Sequence, residues 1–388
     1  MVVTIGPGEV LASSVADGDV PGVVALAATH DGVIYADAFG ERELGSGVDM
    51  TLDTVCWIAS MTKALTSTAA LQQVEQGRLS LDGPLAEVLP QLADVQVLDG
   101  FDPDGTPRLR PPAWPITLRH LLTHTAGFGY DVWNADVRRY ATQAGLPSIT
   151  ECKNDALNTP LVFDPGERWE YGINIDWVGK AVEAVSGQSL EAYLRTNVFE
   201  PLQMPDTGFV VGSEQRARRS SMHSRHADGS LEPIEFDLPE TPEFFMGGGG
   251  LYSTGPDYMR FLRALLGNGA LDDARILQSE TVDDMFRNHI GDVEAGVLHT
   301  VNPDASNDHD PYPGMPIRWG LGFMITTEAV PGGRSANSVA WAGLANTYYW
   351  IDRERDITGL IMTQILPFVD ARVMHLYANF ERAVYSGL

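Results

Sequence analysis

Apolar positions along this chain recur with two periods, and each period predicts a type of element. Residues 21–29 are a run of small and branched apolar side chains, Asp31-Gly32 is a tight-turn pair, and 33–39 resumes the run, which predicts a β-hairpin. A third short apolar run, 54–58, leads into a helix carrying Met61, Ala64, Leu65, Ala69, Leu71 and Val74 near helical spacing and ending at Gly77. Beyond Leu85 the helical stretches are separated by long Pro-, Gly- and Asp-rich loops such as 101–115 and 302–316. Strands return at 320–326, 338–342, 347–351 and 357–362, and a last helix covers 369–385. This order predicts an α/β (α+β) fold, an antiparallel sheet flanked by helices. Residues 1–84 and 318–388 are expected to form an α/β domain and 85–317 an inserted, mainly helical one, with the active site at their interface.

Composition narrows the partners. The 388 residues are enough for a large core, and a net charge of −26 argues against nucleic acid, whose phosphates need a basic footprint. Arg216, Arg218, Arg219, His223, Arg225 and His226 form a local basic cluster, read as a solvated surface loop. Two cysteines, Cys56 and Cys152, make no disulfide framework. Residues 1–7 lack the basic and apolar regions of a signal peptide, and no apolar run reaches membrane-spanning length. A soluble, cytoplasmic protein without membrane association is expected.

The candidate chemistry starts at Ser60-Met61-Thr62-Lys63. Ser60 and Lys63 lie three apart at a helix start, hence on one face. A lysine in a dry site has a lowered pKa and can take the serine proton, and the free N–H groups of a helix start favour an oxyanion. Tyr171, before a predicted helix start, is a candidate general base whose phenol is expected to lose its proton in the field of the lysine, with Asn174 and Asp176 behind it. Phe128 and Tyr130, in Gly127-Phe128-Gly129-Tyr130, are expected to wall an acyl pocket. In Trp341-Ala342-Gly343-Leu344 the glycine would let substrate approach the strand, and the Leu344 N–H is a second oxyanion donor beside that of Ser60. His120 and His124 stand four apart, but with no Glu beside them they read as helix caps and packing rather than a metal pair. Gly247 to Gly250 read as a close-packed turn before a helix over 256–266. No Gly-x-Ser-x-Gly elbow occurs.

Taken in order, these phrases resemble the superfamily of class C β-lactamases and penicillin-binding proteins, and within it the family VIII carboxylesterases. Ser60-Met61-Thr62-Lys63 matches its Ser-x-x-Lys motif, and His120 to Gly127 and Gly248 to Thr254 are similar to two further family phrases. Two departures select the branch. The Tyr-x-Asn motif is replaced by Tyr171-Gly172-Ile173, with Asn174 one position late, and no Lys-Thr-Gly occurs, its place being taken by Trp341-Ala342-Gly343. A tryptophan there cannot hold the carboxylate that penicillins carry, so neutral substrates are favoured. The resemblance implies a cofactor-free serine carboxylesterase that hydrolyses short-chain esters through an acyl-enzyme on Ser60, with Lys63 and Tyr171 catalytic and Trp341 and Gly343 binding substrate. A β-lactam or D-amino-acid amide substrate, acyl transfer to an acceptor other than water, and a non-catalytic sensor are the alternatives. Natural substrate and oligomeric state are left open.

Overall fold

The sheet draws its strands from both ends of the chain. The computed structural model describes residues 6–387; Met1 to Ile5, part of the segment read as lacking a signal peptide, lie outside the described residues. The predicted hairpin is β1 (Gly22–Ala28) and β2 (Val33–Gly40). β3 (Cys56–Trp57) pairs with β4 (Tyr252–Ser253) apart from the main sheet. β5 (Ile317–Trp319), β6 (Met324–Thr326), β7 (Ser338–Gly343), β8 (Thr347–Asp352) and β9 (Ile357–Met362) complete the order β5-β6-β7-β8-β9-β1-β2. Every neighbouring pair is antiparallel.

Alternation along β8 fixes what covers each face. Tyr348 and Trp350 pack on Tyr377 and Phe380 of α6, the C-terminal helix, while Tyr349 turns the other way onto Tyr258 of α5. The helices concerned are α1 (Pro7–Ala16), α2 (Thr62–Glu75), α3 (Leu118–Leu122), α4 (Asn174–Ser186), α5 (Gly255–Leu266) and α6 (Ala371–Ser386). α1 lies beside α6, and α5 packs on β1 and β9 although it comes from the middle of the chain. Gly359 stands opposite Trp350 in register, and the indole occupies the space a side chain there would need.

α2 is the central helix. Residues Thr62 to Gln73 are all buried, although the segment is rich in Thr, Ser and Gln. Most of that polarity is answered internally. Thr66 donates to the Gly247 carbonyl, Thr68 to that of Ala64, Gln72 to those of Asn197 and Ile276, and Gln73 to the Tyr193 hydroxyl.

Three expectations are corrected. The strand expected over 320–326 begins only at Met324, because residues 320–323 form the turn that joins β5 to β6, with Gly320 donating its N–H to the Phe323 carbonyl. The expected loop 101–115 contains the second strand of a hairpin, Val97–Phe101 with Pro107–Arg110. The basic cluster is not one solvated surface loop, since Met222–Arg225 is a strand with His223 buried. Arg216 pairs with Glu240, Arg218 with Asp206, Arg219 with Asp237 and Arg225 with Asp370, so acidic neighbours neutralise it.

Candidate active site

The segment before α2 is bent to present Ser60. Ile58 donates its N–H to the Leu251 carbonyl, Ala59 takes a left-handed conformation (φ 43°), and Ser60 sits in the 3-10 turn Ala59–Met61 that opens onto α2. A left-handed non-glycine residue is strained, and such strain concentrates at functional sites. β7 runs alongside. The space a side chain at Gly343 would fill is taken by the Ile58 carbonyl and the Thr347 hydroxyl, so this glycine admits the serine turn rather than the substrate. Leu344 follows at the strand end, half-buried.

Lys63 is 1% exposed, and its Nζ lies 3.1 Å from Ser60 Oγ, 3.2 Å from the Tyr130 hydroxyl and 2.6 Å from the Gly248 carbonyl. Burial drives this lysine down to about 7, while the Asp176 carboxylate works in the opposite direction. Asp176 is itself buried and raised by that burial. Its Oδ1 accepts the Gly248 N–H at 2.8 Å, and Oδ2 has no hydrogen-bond partner among the described residues. Gly248 therefore joins the two groups, N–H to the acid and C=O to the lysine. A side chain on it would meet Asp176 Oδ2 at 2.6 Å and the Tyr130 hydroxyl at 2.9 Å.

Tyr171 is buried with Lys63 Nζ 4.6 Å from its ring centre, and its hydroxyl accepts the Trp341 indole N–H at 2.9 Å. Burial pushes the phenol up, against hydrogen bonds from Ser60 and Trp341 that pull it down. The expectation of a readily lost phenol proton is corrected: the same dry surroundings that raise the phenol drive Lys63 toward its neutral form, so the amine is the group poised near neutrality. Rings of His124, Tyr130, Trp133, Trp169 and Trp341 surround Tyr171 with centroids 4.8–6.1 Å away.

The remaining expected residues divide. Tyr130 does more than wall a pocket, since its hydroxyl reaches Lys63. Phe128 lies wholly in the core, stacked 6.1 Å from Trp177, because Gly172 and the Asn174 amide hold its carbonyl inward. Asn174 also donates to His124 Nδ1 at 2.9 Å. His120 closes the capping box of α3 with Thr117, and His124 is packed against Tyr171 and Trp319. Among the described residues no cluster of three or more His, Cys, Asp or Glu is arranged to hold a metal ion. Sequence reasoning missed the Gly248 carbonyl, the Tyr130–Lys63 contact and the tryptophan wall. Only Gly247 to Gly250 carried a local signal, a glycine run implying close backbone approach.

The Beta-lactamase family model matches residues 9–383. Lovastatin esterase of Penicillium rubens is 34% identical over 95% of each chain. Monacolin J acid methylbutanoyltransferase of Aspergillus terreus is 36% identical over 95% of this chain and 92% of its own. A solved mutant of the simvastatin synthase LovD from Aspergillus terreus superposes with a TM-score of 0.86 at 32% identity, covering 98% of this chain and 94% of that one.

Proposed function

The chain belongs to the beta-lactamase family and is an enzyme of the serine-hydrolase type; from that premise we propose that it cleaves short-chain carboxylic esters through an acyl-enzyme on Ser60, in the manner of the family VIII carboxylesterases. The observation that carries this reading is the 3.1 Å contact between Ser60 Oγ and a lysine lowered to about 7. Neutral Lys63 takes the Ser60 proton as Oγ attacks the ester carbonyl, and the N–H groups of Ser60 and Leu344 hold the oxyanion. On collapse the carbon–oxygen bond to the alcohol breaks, and the alcohol leaves with a proton relayed from Lys63 through the Tyr171 hydroxyl. Water or an acceptor alcohol then attacks the acyl-serine, loses its proton by the same route and frees Ser60. The reaction falls where Ser60, Lys63 and Trp341, from the two ends of the chain, meet Tyr130, Tyr171 and Gly248, from its middle.

Acyl transfer is the second reading. It is favoured by the likeness to a methylbutanoyltransferase. A panel of p-nitrophenyl esters from acetate to decanoate, run with and without an acceptor alcohol and beside nitrocefin, tests both. The expected result is ester turnover that falls with chain length, is abolished in Ser60→Ala and greatly exceeds nitrocefin turnover. Retained activity in Ser60→Ala, or nitrocefin turnover matching the esters, contradicts the proposal.

A further inference from the structure

Behind Trp341 the sheet and α6 part to leave a cleft of about 680 Å3 of empty space, its open mouth included. Met324 of β6, Ala340 and Ala342 of β7 and Tyr348 of β8 form its floor, and Met374 and Ala378 of α6 the opposite wall. Trp341 bounds one end.

The polar groups around this apolar space are of two kinds. Arg334 is fully buried and donates from Nε to Glu381 Oε1 (2.9 Å) and from Nη2 to Glu381 Oε2 and the Tyr377 hydroxyl (2.7 Å each). This ion pair pins the 330–334 loop to α6 and leaves Arg334 Nη1 as a buried donor with no partner among the described residues. His309 differs. Its Nδ1 donates to the Gly296 carbonyl at 2.6 Å, which places the ring proton there and leaves Nε2 as a bare acceptor with no partner among the described residues. Burial holds the imidazole down at about 4, so it is neutral at ordinary pH. Phe368, stacked at 5.7 Å, and Trp341, edge-on at 5.9 Å, fix the ring's direction.

We propose that this cleft binds a neutral, mostly apolar alcohol, its hydroxyl donating to His309 Nε2 and its carbon body lying on Met324, Ala340, Ala342 and Met374. A hydrocarbon brings no donor for Nε2 and so forgoes this bond. The role of the site rests on the esterase and acyltransferase reading: an alcohol is what such an enzyme releases or acylates, and Trp341 joins the cleft to Tyr171 through its indole N–H.

The test is a titration of Ser60→Ala protein, labelled in methionine methyls and histidine nitrogens, with cyclohexylmethanol. Met324 and Met374 resonances, assigned through Met324→Leu and Met374→Leu, are expected to shift saturably while that of Met61, next to Ser60, stays. The His309 Nε2 signal is expected to move upfield. Methylcyclohexane is expected to bind at least about tenfold more weakly. Ala378→Trp, at the half-exposed mouth, is expected to abolish the methionine shifts. Unmoved Met324 and Met374, an unmoved Nε2, shifts that survive Ala378→Trp, or methylcyclohexane binding as tight as that of the alcohol overturns the inference. Ester turnover by the unaltered chain is scored separately. Alcohol binding without turnover sustains the cleft and rejects the proposed function, and turnover without alcohol binding does the reverse.

Discussion

A lysine ammonium carries three donors and no acceptor, whereas the neutral amine has two donors and a lone pair. Around Lys63 stand the Gly248 carbonyl, the Tyr130 hydroxyl and the Ser60 hydroxyl, a set the amine satisfies with its lone pair turned to Ser60. Because burial places this lysine near 7, the neutral fraction rises with pH. Ester kcat/KM is therefore expected to climb through about pH 7 and level off above it. The Asp176 charge favours the ammonium, so Asp176→Asn is expected to move that rising limb to lower pH, a shift read directly from the pH–rate profile; an upward move contradicts the assignment. Trp341→Phe keeps a ring but removes the one indole donor to Tyr171. Loss of that bond is expected to lower kcat by about fivefold, in line with a net hydrogen-bond contribution near 1 kcal/mol, with KM little changed.

At the scale of elements, the glycine turn after Phe245 holds the buried acid and base in one geometry. Gly248→Ala would push a methyl into Asp176 and Tyr130, both of which lack room to retreat. The variant is expected to fold, to lose about 1–3 kcal/mol of stability, as overpacked cores do, and to lose most ester turnover. Thermal unfolding and kcat measured on one preparation separate the two effects. How much of this was legible in the sequence follows from how local each cause is. Ser60 and Lys63 share one helical turn, and the β1–β2 hairpin and the strands from Ser338 to Met362 carry their own turn and apolar signals, so these were readable. Tyr130, Gly248, Trp133, Trp169 and Trp319 reach the site from separated segments whose meeting is fixed by tertiary packing, which no window of sequence contains. Phe128 was misplaced for the same reason: an aromatic beside a glycine looks like a pocket wall until Asn174 is seen to draw its carbonyl inward.

Over the whole molecule, a net charge of −26 is spread across a surface whose basic cluster is already neutralised by Asp and Glu partners. No helix among the described residues is long and apolar enough to cross a membrane. A strongly acidic envelope raises the local concentration of cations and lowers that of anions, and salt removes the bias as the screening length shrinks from about 30 Å at 0.01 M to about 3 Å at 1 M. The buried chemistry at Lys63 lies beyond the reach of that screening, so only the encounter should respond. For two short-chain esters differing in the alcohol, one neutral and one carrying a quaternary ammonium, kcat/KM of the cationic ester is expected to fall as sodium chloride rises across that range, while the neutral ester holds steady. A matching fall for both would place the salt effect inside the site rather than in the field of the molecule.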